Sequence, residues 1–349
     1  MSAMATSRQR YWMCLLLVLL ATPAAAHSDG ALAANVWFSW SFDLDFMLPL
    51  ALVCFVYLRG IRQRQQRGRL TSHRETSLVF LGLFMLFLAL QSPIDPLGER
   101  SFSMHQVQHL LLRTLGPMLL FLPSPQTTFI SGLNTHVRRV LGRVGRVTGL
   151  GVLAHPITAT LLFAGLAYVW QYPPYFELAL RNDMVHYLMH VTMLGSGLLF
   201  WWCIFDTRPS STRYGTRLAM LWIATTANIA LGAYLTMKTG VLFPVYDELG
   251  RLWVDGDMDE LLGGLIVWIL GSMMSLVPFL VIIRHWGYKK DRMRKARMTV
   301  TSAGSDAVRK GPRETAENTR RLGWMLGLFS GGIFLALISV MFLSLAIRV

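Results

Sequence analysis

Long apolar runs separated by short polar connections organise this chain from residue 44 onward. They fall near 44–59, 76–91, 104–122, 153–171, 184–204, 216–237, 261–283 and 323–347. Most reach or approach the roughly 20 residues a helix needs to cross a bilayer. The runs are continuous, unlike the alternating segments of about 10 residues that build a membrane β-barrel. They predict an all-α polytopic transmembrane bundle, a seven-helix core with an additional C-terminal span. The second run is the shortest, and Arg74 and Glu75 at its start can reach toward water along their aliphatic stems.

Ahead of the first run, residues 1–26 read as a signal peptide. Arg8 and Arg10 precede an apolar stretch from Trp12 to Leu20, and Ala24-Ala25-Ala26 offers a small-residue cleavage site. The stretch is short for a span, so cleavage is expected, with an uncleaved anchor as the alternative. Cleavage leaves His27 first, an amine and an imidazole together, although chance placement is the simpler account. Residues 27–285 then form the membrane core, 286–321 a basic cytoplasmic loop and 322–349 the last span.

Charge refines the picture. A net charge of +14 would suit a nucleic-acid binder, but 25 of the 33 lysines and arginines lie in 59–74, 138–146, 206–217 and 284–321. Those stretches alternate with connections that are mostly acidic, the positive-inside pattern of a membrane protein. No nucleic-acid partner is expected, whereas membrane lipid is, because basic loops attract anionic head groups. The arginines of 59–74 place that link in the cytoplasm, so spans three, five and seven all begin at the outer face. The connection 238–260 agrees, with Asp247, Glu248, Asp255, Asp257, Asp259 and Glu260 against Lys238 and Arg251. The link 284–321, basic and holding Ser, Gly and Pro, reads as mobile and solvated. Trp37, Trp40, Trp201, Trp202 and Trp286 fall where interfacial aromatic belts are expected. Cys14, Cys54 and Cys203 are far apart, form no C-x-x-C pair and read as small buried apolar residues.

Candidate chemistry sits at the outer ends of two spans. Met104-His105-Gln106-Val107-Gln108-His109 opens span three, and Met184-Val185-His186-Tyr187-Leu188-Met189-His190 opens span five. Residues four apart share a helix face, about 6 Å apart along the axis. Two such helices facing each other would bring His105, His109, His186 and His190 together at one depth. Ionisable side chains are costly in lipid and mark function there. Imidazole suits copper, zinc, iron and nickel, with divalent affinity peaking at copper. Met193 lies on the His186/His190 face, where its thioether either joins the site or fills the core. Asp259, at the start of span seven, either orients a ligating imidazole or caps its helix. Gly263 and Gly264 just beyond allow close helix approach. Arg113 continues the His105/His109 stripe deeper into the membrane and requires a partner or a water-lined space. His155-Pro156 starts span four at the opposite end, away from the cluster. Two bis-His haems are excluded, because i,i+4 histidines stand too close.

These residues resemble the caa3-type cytochrome c oxidase assembly factors, the CtaG family. The likeness rests on Tyr57-Leu58-Arg59-Gly60, Ser92-Pro93-Ile94-Asp95, His105-x3-His109 with Gly116-Pro117, His155-Pro156, His186-x3-His190 with Phe200-Trp201-Trp202, and Asp259 with Gly264-Leu265-Ile266-Val267-Trp268. It implies a seven-span core in the bacterial inner membrane, with the N-terminus of the mature chain periplasmic. The implied role is maturing a haem-copper oxidase, with copper delivered to an oxidase subunit. Two positions depart from the family pattern: Glu260 stands where Gln is usual, and Arg113 where an apolar residue is expected. The expected function is thus a non-catalytic assembly factor that binds copper, with a periplasmic copper donor and haem-copper oxidase subunits as partners. A copper or small-solute transporter and a di-iron membrane oxidoreductase are the alternatives. The former requires polar residues continuing through the bundle, and the latter further histidine boxes.

Overall fold

The computed structural model describes residues 38–147, 152, 153, 155–206 and 212–302. The expected signal peptide, His27 and the last span lie outside the described residues. Down the chain the helices are α1 (Leu44–Gln66), α2 (His73–Gln91), α3 (Ile94–Gly98) and α4 (Phe102–His109). A π-helical turn, Leu110–Leu115, joins α4 to α5 (Gly116–Phe121). Then come α6 (Gln126–Gly132), α7 (Thr135–Val147), α8 (Pro156–Gln171), α9 (Pro173–Arg181), α10 (Asp183–Phe205), α11 (Tyr214–Met237) and α12 (Val245–Glu248). Finally α13 (Gly256–Leu265) passes through a second π-turn, Ile266–Leu270, into α14 (Gly271–Met273) and α15 (Leu276–Ser302).

The described residues are all-α. Five helical stretches are long and apolar enough to cross a membrane: 44–66, 73–91, 183–205, 214–237 and 256–294. The expected third and fourth spans are not among them, each for a local reason. The third runs through its π-turn from Phe102 to Phe121 but carries His105, Gln106, Gln108, His109 and Arg113, which lower its hydropathy, and the fourth stops after 16 residues, where Tyr172-Pro173-Pro174 removes two N–H donors and disfavours helix before the prolines. The expected loop from residue 286 also differs, because α15 carries its first part in helix as far as Ser302.

Side-chain caps mark the three helices that enter the bundle from its acid-rich end. Ser101 accepts from the amide of Met104, Asn182 from Val185 and Asp255 from Met258. Each satisfies one of the amides that a helix start leaves open. At the basic end α1 closes on Gly68, at φ 70°. The Arg69 amide there donates to Arg64 O and the Gly68 amide to Gln65 O, both at 2.9 Å, a Schellman motif. Arg217, at the end of the basic stretch 206–217, is buried and donates to Ile204 O at 3.0 Å and Thr212 O at 2.9 Å. It thereby takes up a carbonyl that the end of α10 leaves open.

The core lies in three apolar clusters. The largest, toward the basic end, contains Tyr57, Phe121, Phe163, Phe200, Trp201 and Trp202. Trp201 and Trp202, expected at the interface, are therefore core residues. Trp40 is exposed and stacks on Phe87 at 6.1 Å, closer to the expected belt. Gly263 and Gly264 serve two neighbours at once. A methyl on Gly264 would stand 2.9 Å from Gly232 O of α11, and one on Gly263 would stand 2.4 Å from the Phe102 ring of α4.

Gly197 brings α10 against the first π-turn, since a methyl there would lie 2.3 Å from Arg113 O. Gly165 in α8 faces open space. Thermal unfolding in detergent should separate them. Gly197→Ala should cost about 1–3 kcal/mol through overpacking, whereas Gly165→Ala should gain roughly 0.5–1 kcal/mol from helix propensity. Equal melting temperatures for the two variants would contradict this packing.

Candidate metal centre

The two histidine pairs meet. His105 and His109 come from α4, His186 and His190 from α10, and all four are buried. His105 Nε2 and His109 Nε2 stand 3.0 Å apart. Ligand atoms of His105, His109 and His190 all lie within 4.8 Å of one another. Nitrogens bound to one ion at ~2.0–2.1 Å sit roughly 3.3 Å apart in a tetrahedron, so the three rings need only small shifts to share an ion. His186 flanks that trio, its ring centroid 4.5 Å from His190 and 5.4 Å from His105. The cluster thus has a tight group of three with a fourth ring alongside.

One tyrosine orders the protons. Tyr246 Oη donates to Gly98 O at 3.2 Å and lies 3.1 Å from His105 Nδ1. A phenol has one proton to give, and burial pushes the Tyr246 hydroxyl well above its ordinary pKa, so it stays protonated. His105 Nδ1–H must then donate to Tyr246, which leaves the Nε2 lone pair facing His109. A held second nitrogen of this kind fixes tautomer and ring orientation in metal-ligating histidines. His109 Nδ1 is buried with no hydrogen-bond partner among the described residues. Nothing in the sequence marks Tyr246 beyond its being an aromatic residue in an acidic connection.

Aromatic rings cover the cluster at the acid-rich end. Phe102 stacks on Phe243 at 4.7 Å, Phe176 lies 4.5 Å from Phe243, and His105 lies 5.0 Å from Phe176. Two glutamines flank the pair on α4. Gln108 Nε2 donates to Asp95 at 2.5 Å and to Ala89 O at 2.9 Å, and Gln171 Nε2 donates to Gln106 Oε1 at 2.7 Å. Asp95 of the Ser-Pro-Ile-Asp motif is thereby tied to the histidine helix.

Asp259 lies in the first turn of α13, where a helix-start acid was expected, but its carboxylate is engaged by another helix. It caps α4 rather than its own helix, accepting from Phe102 N at 2.7 Å, Ser103 N at 2.9 Å and Ser101 Oγ at 2.9 Å. Arg251 also pairs with it at 3.1 Å. The carboxylate therefore acts on His105 through the helix start, favoured there by the helix dipole. Glu260 is likewise occupied, pairing with Lys238 at 2.5 Å and accepting from Phe243 N at 2.8 Å. Glutamate where the family usually has glutamine has its physical reason in that buried lysine. Met193 is buried beneath the rings and lines a small cavity with His109 and Arg113. The partners of Arg113, which the sequence left unnamed, are Phe163 O at 2.9 Å, Asn228 Oδ1 at 3.3 Å and the Phe163 ring at 3.9 Å.

Similarity to known proteins bears on this arrangement. An uncharacterized protein of Mycobacterium leprae is 23% identical over 265 residues, 73% of this chain and 40% of its own length. Uncharacterized proteins of Mycobacterium bovis and Mycobacterium tuberculosis are each 26% identical over 272 residues, 74% of this chain and 41% of their own length. The chain thus spans about two fifths of the curated relatives it matches. No solved structure matches it. The family model described as cytochrome c oxidase caa3 assembly factor matches residues 55–289, a range that holds both histidine pairs, Tyr246 and Asp259. With that match over most of its length, the chain belongs to the cytochrome c oxidase caa3 assembly factor family.

Proposed function

We propose that this protein binds copper at His105, His109 and His190, with His186 and Met193 alongside, and supports copper insertion into a haem-copper oxidase. The observation that carries the reading is the buried approach of three imidazole ligand atoms to within 4.8 Å. Family membership supports the assembly role. The donor set supports copper, because imidazoles with a neighbouring thioether suit it and the carboxylates of Asp259 and Glu260 are engaged elsewhere. The acid-rich end faces the periplasm of a bacterial inner membrane, where a periplasmic donor supplies the ion. Asp259 contributes by positioning α4 and is not a ligand.

Two features favour delivery over transport. The Arg113 cation lies beyond His109 along the helix path and opposes passage of a metal cation toward the basic end. An apolar cleft lined by α1, α2 and α10 reaches His190 from the side, which suits handover to an oxidase subunit docked laterally in the membrane. The protein acts here as a carrier, with no turnover of its own.

Four measurements test this. Metal analysis of the purified chain should find copper, and the variant with His105, His109, His186 and His190 all changed to Ala should lose it; equal copper in both would end the assignment. Tyr246→Phe removes the group that holds His105 and should weaken copper affinity roughly 10–100-fold with little change in melting temperature. Asp259→Ala should lower melting temperature and copper content together, since it frees the helix start and leaves Arg251 short of a partner. In cells, deletion should yield oxidase that retains haem and lacks copper. Loss of both would point to a general folding role instead.

A further inference from the structure

A second space lies beneath the histidines, on the side away from the aromatic cover. Gln106, His109, Arg113, Met193 and Asn228 contribute to its wall. It measures about 30 Å³, against the roughly 10–15 Å³ that one water requires. A monatomic ion or a water or two fits, whereas a haem, a quinone or an acyl chain does not. Both π-turns edge this space, the first through Arg113 and the second through Val267. Such turns interrupt an α-helix and concentrate at functional sites.

The charge balance of the cavity is one-sided. Arg113 is buried, and its Nη2 bonds go to two neutral acceptors, Phe163 O and Asn228 Oδ1. Its Nε has no hydrogen-bond partner, and no carboxylate forms an ion pair with it among the described residues. The adjacent acids are engaged: Asp259 with Arg251 and the start of α4, Glu260 with Lys238. Gln106 has its oxygen occupied by Gln171, while its Nε2 has no partner. A guanidinium removed from water needs a counter-charge. Two unsatisfied N–H donors, one of them cationic, at a space of monatomic size outweigh the unsatisfied acceptor on its wall, Gln171 Oε1, and describe a receptor for an anion.

We propose that this cavity binds a small monovalent anion of chloride size, held by Arg113 Nε and Gln106 Nε2. The anion offsets the positive charge of a metal ion loaded at the histidines above. The anion site stands on Arg113 and its surroundings alone; its coupling to metal rests on the copper reading. Binding coupled in this way is reciprocal, so the anion tightens the metal as much as the metal tightens the anion.

The test uses the full chain, purified metal-free in detergent, with radiolabelled chloride as the probe. Equilibrium dialysis at constant ionic strength, with gluconate replacing chloride, should find one saturable chloride per chain. Arg113→Gln should abolish it, and the exposed-site control Arg139→Gln should keep it. Asn228→Asp places a carboxylate beside the guanidinium without changing size, so it should fold and still lose chloride. No saturable chloride in the unaltered chain overturns the proposal, as does undiminished binding in Arg113→Gln. Should Arg113→Gln fail to fold, Asn228→Asp decides, and unchanged chloride binding there overturns the proposal. Copper(I) titration should then show affinity on the order of tenfold tighter with chloride than with gluconate. That ratio should shrink in Asn228→Asp, a comparison in which chloride's own complexation of copper cancels. Chloride binding without copper binding leaves the anion site standing and defeats the copper reading; copper binding without chloride does the reverse.

Discussion

A buried imidazole serves a metal best when one ring nitrogen is held and the other is left with an aimed lone pair. Here that condition is met at His105 by a single phenol whose proton is already given to Gly98 O. Much of the surrounding structure maintains that contact. The short helix α12 carries Tyr246 into the bundle, α3 presents the Gly98 carbonyl, and the Asp259 cap fixes the start of α4 one turn before His105. The packed rings of Phe102, Phe176 and Phe243 keep water from competing for the same nitrogen. A phenol and a carboxylate thus help to determine whether the four imidazoles converge.

The distribution of acids follows from the same economy. Buried carboxylates are stable only when paired or richly hydrogen-bonded. Asp259 and Glu260 meet that requirement with backbone amides and with Arg251 and Lys238, which binds the acid-rich connection to the helix starts. Those acids are then unavailable to a metal. The histidine centre is left with neutral donors, above a cation at Arg113. Neutral donors in an interior of low dielectric suit an ion of low charge better than one of high charge, and under the copper reading that favours the monovalent state.

Some of this was legible from the chain alone. The two His-x3-His pairs could be placed on facing helices at one depth because helical spacing and the alternation of basic and acidic connections act over whole segments. Gly263 and Gly264 were legible as contact points because so small a pair in an apolar run has few other uses. What escaped was whatever depends on a distant partner. Asp259 resembled a cap for its own helix, and only the fold brings Ser101 through Ser103 to it, more than 150 positions away in sequence. Trp201 and Trp202 matched an interfacial belt in composition, yet packing placed them inside, where Trp201 Nε1 donates to Arg113 O at 3.2 Å. The π-turns left no trace in periodicity, because each alters the ladder by one residue within an apolar run.

Those π-turns also explain why span three is not one regular helix. Gly197 of α10 packs against the backbone of Arg113, and Gly116 opens the helix immediately after the turn. A regular α-ladder would advance the stripe by about 40° over the four residues from His109 to Arg113. The wider turn changes that offset, and Arg113 and His109 both reach the same cavity. The break thus aligns a cation with a donor cluster at the depth where the bundle changes from a polar outer half to an apolar inner one. That alignment is costly in an otherwise apolar helix unless the buried cation is balanced, as the proposed anion would do. The irregularity of span three and the charge imbalance beneath the histidines are therefore two aspects of one arrangement.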